Sequence, residues 1–243
     1  GILGIDKSDE RIKKTCEYIF QFQHEEGGFT SHTTKTARQE YIWHLKKGKE
    51  LPPFKIWSEQ KIHDDQLSCL TGNMIAALIR LGYLNDPRVK KALNWLIQVQ
   101  NQDGGWLCPY WSAHINDTHG CFYGSICPLE AFSEIPIGCL TKEMKEAVRR
   151  GAEFILRHRL FKADQHNFKV INKSWLKFGF PWFYGYNILR GLDILTKLGW
   201  IKDKRIDDAI KIVLDKRQPD GKWILENAPI GRMQANLETK GKP

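Results

Sequence analysis

Two short constellations in this chain carry the side chains that chemistry needs. His63-Asp64-Asp65 sets an imidazole beside two adjacent carboxylates, groups that can take up and release a proton. His119-Gly120-Cys121 sets a nitrogen donor two residues from a sulfur donor, both ligand types that zinc accepts. Five aromatic residues accompany them: Trp111, Tyr123, Trp182, Tyr184 and Tyr186. Aromatic faces can hold an apolar chain or shield a positive charge. Each feature also has a plainer reading. At a helix start, Asp64 and Asp65 would cap the helix and complement its dipole. Cys121 would be a buried thiol beside a capping His119, and the aromatic residues would fill a core.

The elements that must position these residues recur along the chain. Asp86 to Trp106 reads as an amphipathic helix closed by an Asp-Gly-Gly-Trp turn. Val89, Ala92, Leu93 and Leu96 fall at i, i+3, i+4 and i+7 and form one apolar face. Pro87 suits the first helical turn, and Gly104-Gly105 reverse the chain. Arg11 to Phe29 aligns with Arg88 to Trp106 without a gap, and Leu198 to Trp223 aligns with Leu81 to Trp106. A worn copy, Ala147 to Phe161, has lost the turn. The unit returns about every 58 residues, a scale that indicates stacked helical hairpins.

Between the charged helices lie apolar ones: Leu67 to Tyr83, Gly120 to Ile135 and Phe183 to Leu198. The apolar helices are expected inside and the charged ones outside. If inner and outer helices alternate in direction, the inner helices all run the same way and their N-terminal ends gather. His63-Asp64-Asp65 and His119 stand near such ends, where helix dipoles favour an anion such as a diphosphate. In the first outer helix, residues 8 to 23, Ser8 is the expected N-cap. Residues 30 to 61 are an insertion, a lid or a surface excursion, with a short helix at Arg38 to Leu45 and a break at Pro52-Pro53. The chain is read as one domain over residues 1 to 243. After Trp223 it turns polar where a fourth inner helix is expected, which predicts a ring that is short or is completed by a partner chain or a second copy.

Gln98, Gln100, Asp103, Gly104, Gly105 and Trp106, repeated as Gln21, Gln23, Gly27, Gly28 and Phe29, resemble the repeat of squalene–hopene cyclases and protein prenyltransferase β subunits. The resemblance covers residues 8 to 224. It implies an all-α fold, an α/α toroid with parallel inner helices, an outer helix layer and a substrate cavity at the inner N-terminal mouth. Here the ring would be partial, about four helical hairpins. His63-Asp64-Asp65 resembles the acidic motif of class II terpene cyclases, with Ile62 in place of its first Asp. The resemblance makes Asp64 the general acid that protonates an alkene, flanked by Asp65 and His63. His119-Gly120-Cys121 resembles the zinc motif of the prenyltransferases, with His119 in place of Asp and no match to the later His ligand. The aromatic residues would then line the site of an isoprenoid or other apolar substrate.

The bulk numbers bound these readings. A net charge of +9 suits a polyanion or an acidic membrane surface, or else a solvated outer face carrying Lys13-Lys14, Lys90-Lys91 and Arg149-Arg150. No recognised nucleic-acid motif accompanies the charge. No run of 18 apolar residues is present to span a membrane. The six cysteines show no disulfide spacing, and with no export signal a cytoplasmic protein with reduced thiols is expected. A toroid that binds a ligand or protein without converting it, and an α/α-barrel enzyme acting on carbohydrate, stand as alternatives to a terpene cyclase-like or prenyltransferase-like enzyme.

Overall fold

The computed structural model describes residues 6–112, 114–180, 182, 184–228 and 239–242. The fold is all-α. Helices α1 (Glu10–Phe20), α2 (Thr34–Lys46), α3 (Phe54–Asp64), α4 (Ser68–Arg80), α5 (Pro87–Gln98), α6 (Phe122–Ser133), α7 (Lys142–Arg157), α8 (Ile188–Lys197) and α9 (Asp207–Asp215) are joined by turns and short 3-10 segments. Strands β1 (Lys162–Ala163) and β2 (Lys169–Val170) form an antiparallel ribbon. The chain divides into two compact units, residues 1–151 and 152–243.

In the first unit the apolar stripe of α5 is buried as its spacing requires: Val89, Ala92, Leu93, Trp95 and Leu96 all leave solvent. Each buried leucine contributes about 2 kcal/mol. Among the described residues, helix α4 lies against α6 more extensively than any other helix pair. Gly72 makes that approach possible, because a side chain there would strike the backbone at Cys127 and Pro128. The two helices run the same way. At one end the Ser68 hydroxyl donates to Leu107 O, while the Cys121 N–H donates to Trp106 O at 2.8 Å. At the other end Arg80 reaches Glu130 at 2.5 Å and Glu134 at 2.8 Å.

The repeated turns are built alike. The Gln23 amide donates to Gly27 O at 3.0 Å and to Arg88 O at 2.9 Å. The Gln100 amide donates to Gly104 O at 2.8 Å and to Ala147 O at 2.9 Å. One side chain thus closes its own turn and holds the next outer helix. Gly27 and Gly104 have φ of 122° and 91°, and each lies against the backbone of that next helix, at Lys91 and Arg150. The turn's aromatic residue then meets an inner helix: Phe29 N–H donates to Thr71 Oγ1 at 2.8 Å, and Trp106 N–H to Ser125 Oγ at 2.9 Å.

A second repeated device ties outer helices together. Asp86 caps α5, and Arg88 pairs with Asp86 and with Glu17 of α1 at 2.7 Å. In the second unit Arg205 pairs in the same way with Asp203 and with Glu153 of α7. The third turn keeps the plan with one exchange. Arg217 takes the glutamine's place and donates to Gly221 O at 3.2 Å. The Trp223 indole N–H donates to Val213 O at 2.7 Å, as that of Trp106 does to Leu96 O at 2.6 Å. At the end of the worn copy Arg159 and Leu160 take positive φ, 45° and 68°, before the β1–β2 ribbon.

Several boundaries differ from expectation. Asp9, not Ser8, caps α1. The insertion is a helical hairpin, with α2 opened by a Thr33–Thr36 capping box. Pro52-Pro53 does not simply break the chain. Pro53 is the N-cap of α3, a helix that the double proline conceals, because proline is as well suited to a helix start as to a stop. Asp64 and Asp65 accordingly stand at the C-terminal end of α3 and do not cap α4, whose N-cap is Leu67. The third inner helix begins at Ile188 behind the cap Asn187; its expected start, Phe183, lies outside the described residues.

Replacing Gln100 by Ala removes the donor of two carbonyls and is expected to lower stability by about 1–3 kcal/mol. Gln98→Ala, on the exposed face, should change it by less than about 0.5 kcal/mol. Urea denaturation of the two variants checks the pair. The carboxyls of Asp86 and Glu17 are held below their ordinary range, chiefly by hydrogen bonds from Arg88. A lowered folded pKa stabilises above the unfolded value and is lost as pH falls through the folded one. The thermal midpoint should therefore drop below about pH 4, and less steeply in Arg88→Gln.

Candidate functional site

The C-terminal end of α3 is where the expected acidic residues meet solvent and aromatic rings. Asp64, Asp65 and Trp111 line one cleft of about 450 Å³, together with Pro52, Ile56, Trp57, Gln60, Lys61, Tyr110 and Ser112. Helix α3 supplies Trp57, Gln60, Lys61 and Asp64 from one side at i, i+3, i+4 and i+7, the spacing that places residues on one helix face. The loop after the Asp-Gly-Gly-Trp turn supplies Tyr110 and Trp111 from the other. The cleft volume falls within the range of small-molecule sites.

The two carboxylates have different surroundings. Asp65 is tied into the fold: one oxygen, Oδ2, accepts from Ser31 N–H at 2.6 Å and Ser31 Oγ at 2.6 Å, and contacts His32 Nδ1 at 2.9 Å. His32 also meets Glu40 of α2 through Nε2, at 2.6 Å. Both ring nitrogens thus face carboxylates. Lys61 of α3 reaches Glu40 at 3.2 Å. Burial raises the pKa of Glu40, but hydrogen bonds from Lys61 and His32 outweigh it and hold the carboxyl below its ordinary range. Asp65, His32, Glu40 and Lys61 therefore join the insertion hairpin to the turn before it. Asp64 makes fewer ties: Gln60 Nε2 donates to its Oδ1 at 2.7 Å, and His63 Nδ1 lies 3.0 Å away.

His63 faces a larger cavity, of about 1260 Å³, across α3 from the cleft; Ile56 and Gln60 line both. Its ring packs 4.2 Å from that of Tyr110, and its Nε2 lies 3.6 Å from Glu26. A hydrogen bond from Gln66 keeps the Glu26 carboxyl below its usual range. Burial pushes the Tyr110 phenol up, and neighbouring Glu26 adds to it. His63 thus bridges Asp64 and Glu26 from behind the cleft wall.

The remaining expected residues are placed elsewhere. Tyr123 is half-buried on α6. Trp182, Tyr184 and Tyr186 belong to the second unit. There Tyr184 is half exposed. Tyr186 is buried, its hydroxyl donating to Leu160 O at 2.8 Å and its ring set edge-on to Trp175. His119 Nδ1 lies 3.2 Å from Asp103 Oδ2, the oxygen that also accepts from Gly120 N–H at 2.7 Å. Cys121 is the N-cap of α6. Among the described residues of the first unit, no three ligand atoms of His, Cys, Asp or Glu lie within 4.8 Å of one another. Cys69 and Cys108 are buried, and the Cys69 hydrogen bond together with burial pushes the Cys108 thiol up.

Trp57, Tyr110, Ser31, His32 and Glu40 carry no mark in the sequence that points to the cleft. Ser31 and His32 sit in a polar run that reads as loop, and Trp57 sits in the helix that the double proline concealed.

Asp65→Ala should destabilise the protein by about 1–3 kcal/mol, because Ser31 and His32 lose their acceptor. Asp64→Ala, with its carboxylate half in water, should move stability by less than about 0.5 kcal/mol. Chemical denaturation of the two variants separates a carboxylate that holds the fold from one that is available to a ligand.

No protein-family model matches this chain. It is 22% identical over 243 residues to lanosterol synthase erg7A of Aspergillus fumigatus, an alignment that takes in 90% of this chain and 28% of the synthase. The chain thus spans under a third of that relative's length. Among solved structures, a protein from Actinoplanes aligns at 15% identity with a TM-score of 0.46, over 89% of this chain and 53% of the other. The all-α chain is thereby similar, at a distance and over most of its own length, to a lanosterol synthase.

Proposed function

We propose that the cleft between α3 and the loop at Tyr110 and Trp111 binds an apolar, isoprenoid-type ligand, and that Asp64 is the residue placed to deliver a proton to it. One observation carries this reading: Asp64 and the rings of Trp57, Tyr110 and Trp111 line the same cleft. Aromatic faces pack against an alkene and attract a cation formed from it. The carboxylic acid would donate its proton to the alkene carbon and leave a carbocation facing those rings. The similarity to a lanosterol synthase supports the ligand class. Parallel α4 and α6, and the Gln-Gly-Gly turns that hold successive outer helices, support a partial α/α toroid of about four hairpins, a single domain with residues 30 to 61 inserted. Tyr123 of the first unit is proposed to contact the rest of the ligand, and within the second unit Trp182 and Tyr184 are proposed as apolar contacts of their own, while Tyr186 is buried.

A second reading, a binding module without turnover, is favoured by a different observation. The Asp64 side chain is 41% exposed, and water competes with an alkene for its proton. Ligand closure over the cleft is what the catalytic reading needs in addition.

Tryptophan quenching with an isoprenoid alcohol and its diphosphate tests binding, and product analysis by mass spectrometry tests turnover. Trp111→Ala should weaken binding about tenfold, the equivalent of about 1.4 kcal/mol. Asp64→Asn should keep binding and abolish conversion. Full turnover by Asp64→Asn sinks the acid role. Tight binding by the wild type with no product selects the module reading, and no binding at all ends both.

A further inference from the structure

Two thiols meet where the loop after the Asp-Gly-Gly-Trp turn passes the start of α4. Ser68 and Leu107, 39 positions apart in the chain, are joined by a hydrogen bond from the Ser68 hydroxyl to Leu107 O. The next residue on each side is a cysteine, Cys69 on α4 and Cys108 on the loop. Their side chains are hydrogen-bonded to each other, and the Cys108 sulfur also accepts from the N–H of Ser68. Helix α4 has no side-chain cap, so that sulfur takes up one of the N–H groups that the first turn leaves open. Both residues are 5% exposed. The loop is held on either side of the pair: Trp106 O accepts from Cys121 N–H at 2.8 Å, and Cys108 N–H donates to His114 Nδ1 at 3.4 Å. Tyr110 and Trp111 of the cleft follow Cys108 in the same loop.

We infer that Cys69 and Cys108 form a reversible disulfide when the protein meets hydrogen peroxide, and that the bridge pins the Tyr110–Trp111 loop to the start of α4. The peroxide takes two electrons from the pair. One thiol gives up its proton, and its sulfur attacks a peroxide oxygen. The O–O bond breaks, leaving a sulfenic acid and a hydroxide that collects the proton as water. The second sulfur then attacks the first, the S–O bond breaks, and the departing hydroxide takes the second thiol's proton. Two thiols and one hydrogen peroxide thus give one disulfide and two waters. The two sulfurs are already in contact, so no segment has to travel to close the bond. Hydrogen peroxide is also small enough to reach thiols that a bulkier oxidant would not. The Ser68 N–H steadies an ionised sulfur at the helix start. The hydrogen bond with Cys69 and burial outweigh it and raise the pKa of Cys108, so the bond forms slowly. The inference does not depend on what the cleft binds.

Mass spectrometry of the full chain tests this, in a Cys139→Ser background that removes the exposed thiol. After incubation with hydrogen peroxide the intact mass should fall by two hydrogens. Once free thiols are alkylated, the cross-linked peptides should carry Cys69 and Cys108, and dithiothreitol should restore both thiols. Closing a loop of this length constrains the unfolded chain, so the thermal midpoint of the oxidised protein should rise by about 5 °C or more over that of the reduced protein. Cys69→Ser and Cys108→Ser should each abolish both the bridge and the rise. The peptide map is read with both cysteines in place, so it decides the matter even where a serine variant folds poorly. Cys69 and Cys108 recovered as free thiols after peroxide overturn the inference, as does a bridge from Cys108 to Cys121. A bridge that lowers the midpoint shows that the bond forms only in a distorted chain, and it overturns the pinning of the loop.

Discussion

A side-chain amide that satisfies two backbone carbonyls at once sets the spacing of the described architecture. Gln23 closes the first Gly-Gly turn and holds α5 at Arg88 O. Gln100 closes the second and holds α7 at Ala147 O. A buried carbonyl without a donor is costly, so each turn needs its neighbouring helix at one fixed distance. The glycines enforce the same distance from the other side. At Gly27 and Gly104 the next helix is so close that only a residue without Cβ fits. Stacking, turn closure and the entry into the inner helix at Thr71 or Ser125 are therefore consequences of one short motif.

The site inherits its position from that motif. The turn residues Phe29 and Trp106 deliver the chain to the N-terminal ends of α4 and α6, which lie together because those helices are parallel. From Trp106 the chain runs into the loop with Tyr110 and Trp111; from Phe29 it runs into Ser31, His32 and the insertion hairpin. The cleft forms where these two excursions face each other. A chain of contacts through Asp65, His32, Glu40 and Lys61 joins turn, α2 and α3 beside it. Of the two adjacent acids, one is thereby committed to structure, and the other, Asp64, is left facing the rings. Neighbours in sequence have separate roles because successive residues at a helix end point in different directions.

The exposed tip of the same hairpin shows a different use of helix periodicity. The inward side of α2 is consumed by Tyr41, His44 and the Glu40 network. The outward side carries lysines and apolar residues that stay in solvent. The hairpin thus builds a wall of the cleft with α3 and leaves Ile42, Trp43 and Leu45 of α2 in solvent.

Local units are written into the residue pattern. The i, i+3, i+4, i+7 stripe of α5, the glycines with positive φ, the caps Asp86 and Asp203, and the repeat that relates Gln23 to Gln100 all arise from short-range sterics and hydrogen bonding. Those forces act within a few residues and leave a mark that can be read directly. The all-α class was legible for that reason. Long-range packing alone settled that Asp65 would meet Ser31 and His32, and that His63 would turn to Glu26 behind the wall. The same is true of His119, whose Nδ1 faces Asp103 Oδ2. Those pairings join residues far apart in the chain, and nothing in either partner's neighbours encodes them. Pro53 shows the same limit at short range: whether proline ends one element or begins another is settled by where the following helix can bury its inner face.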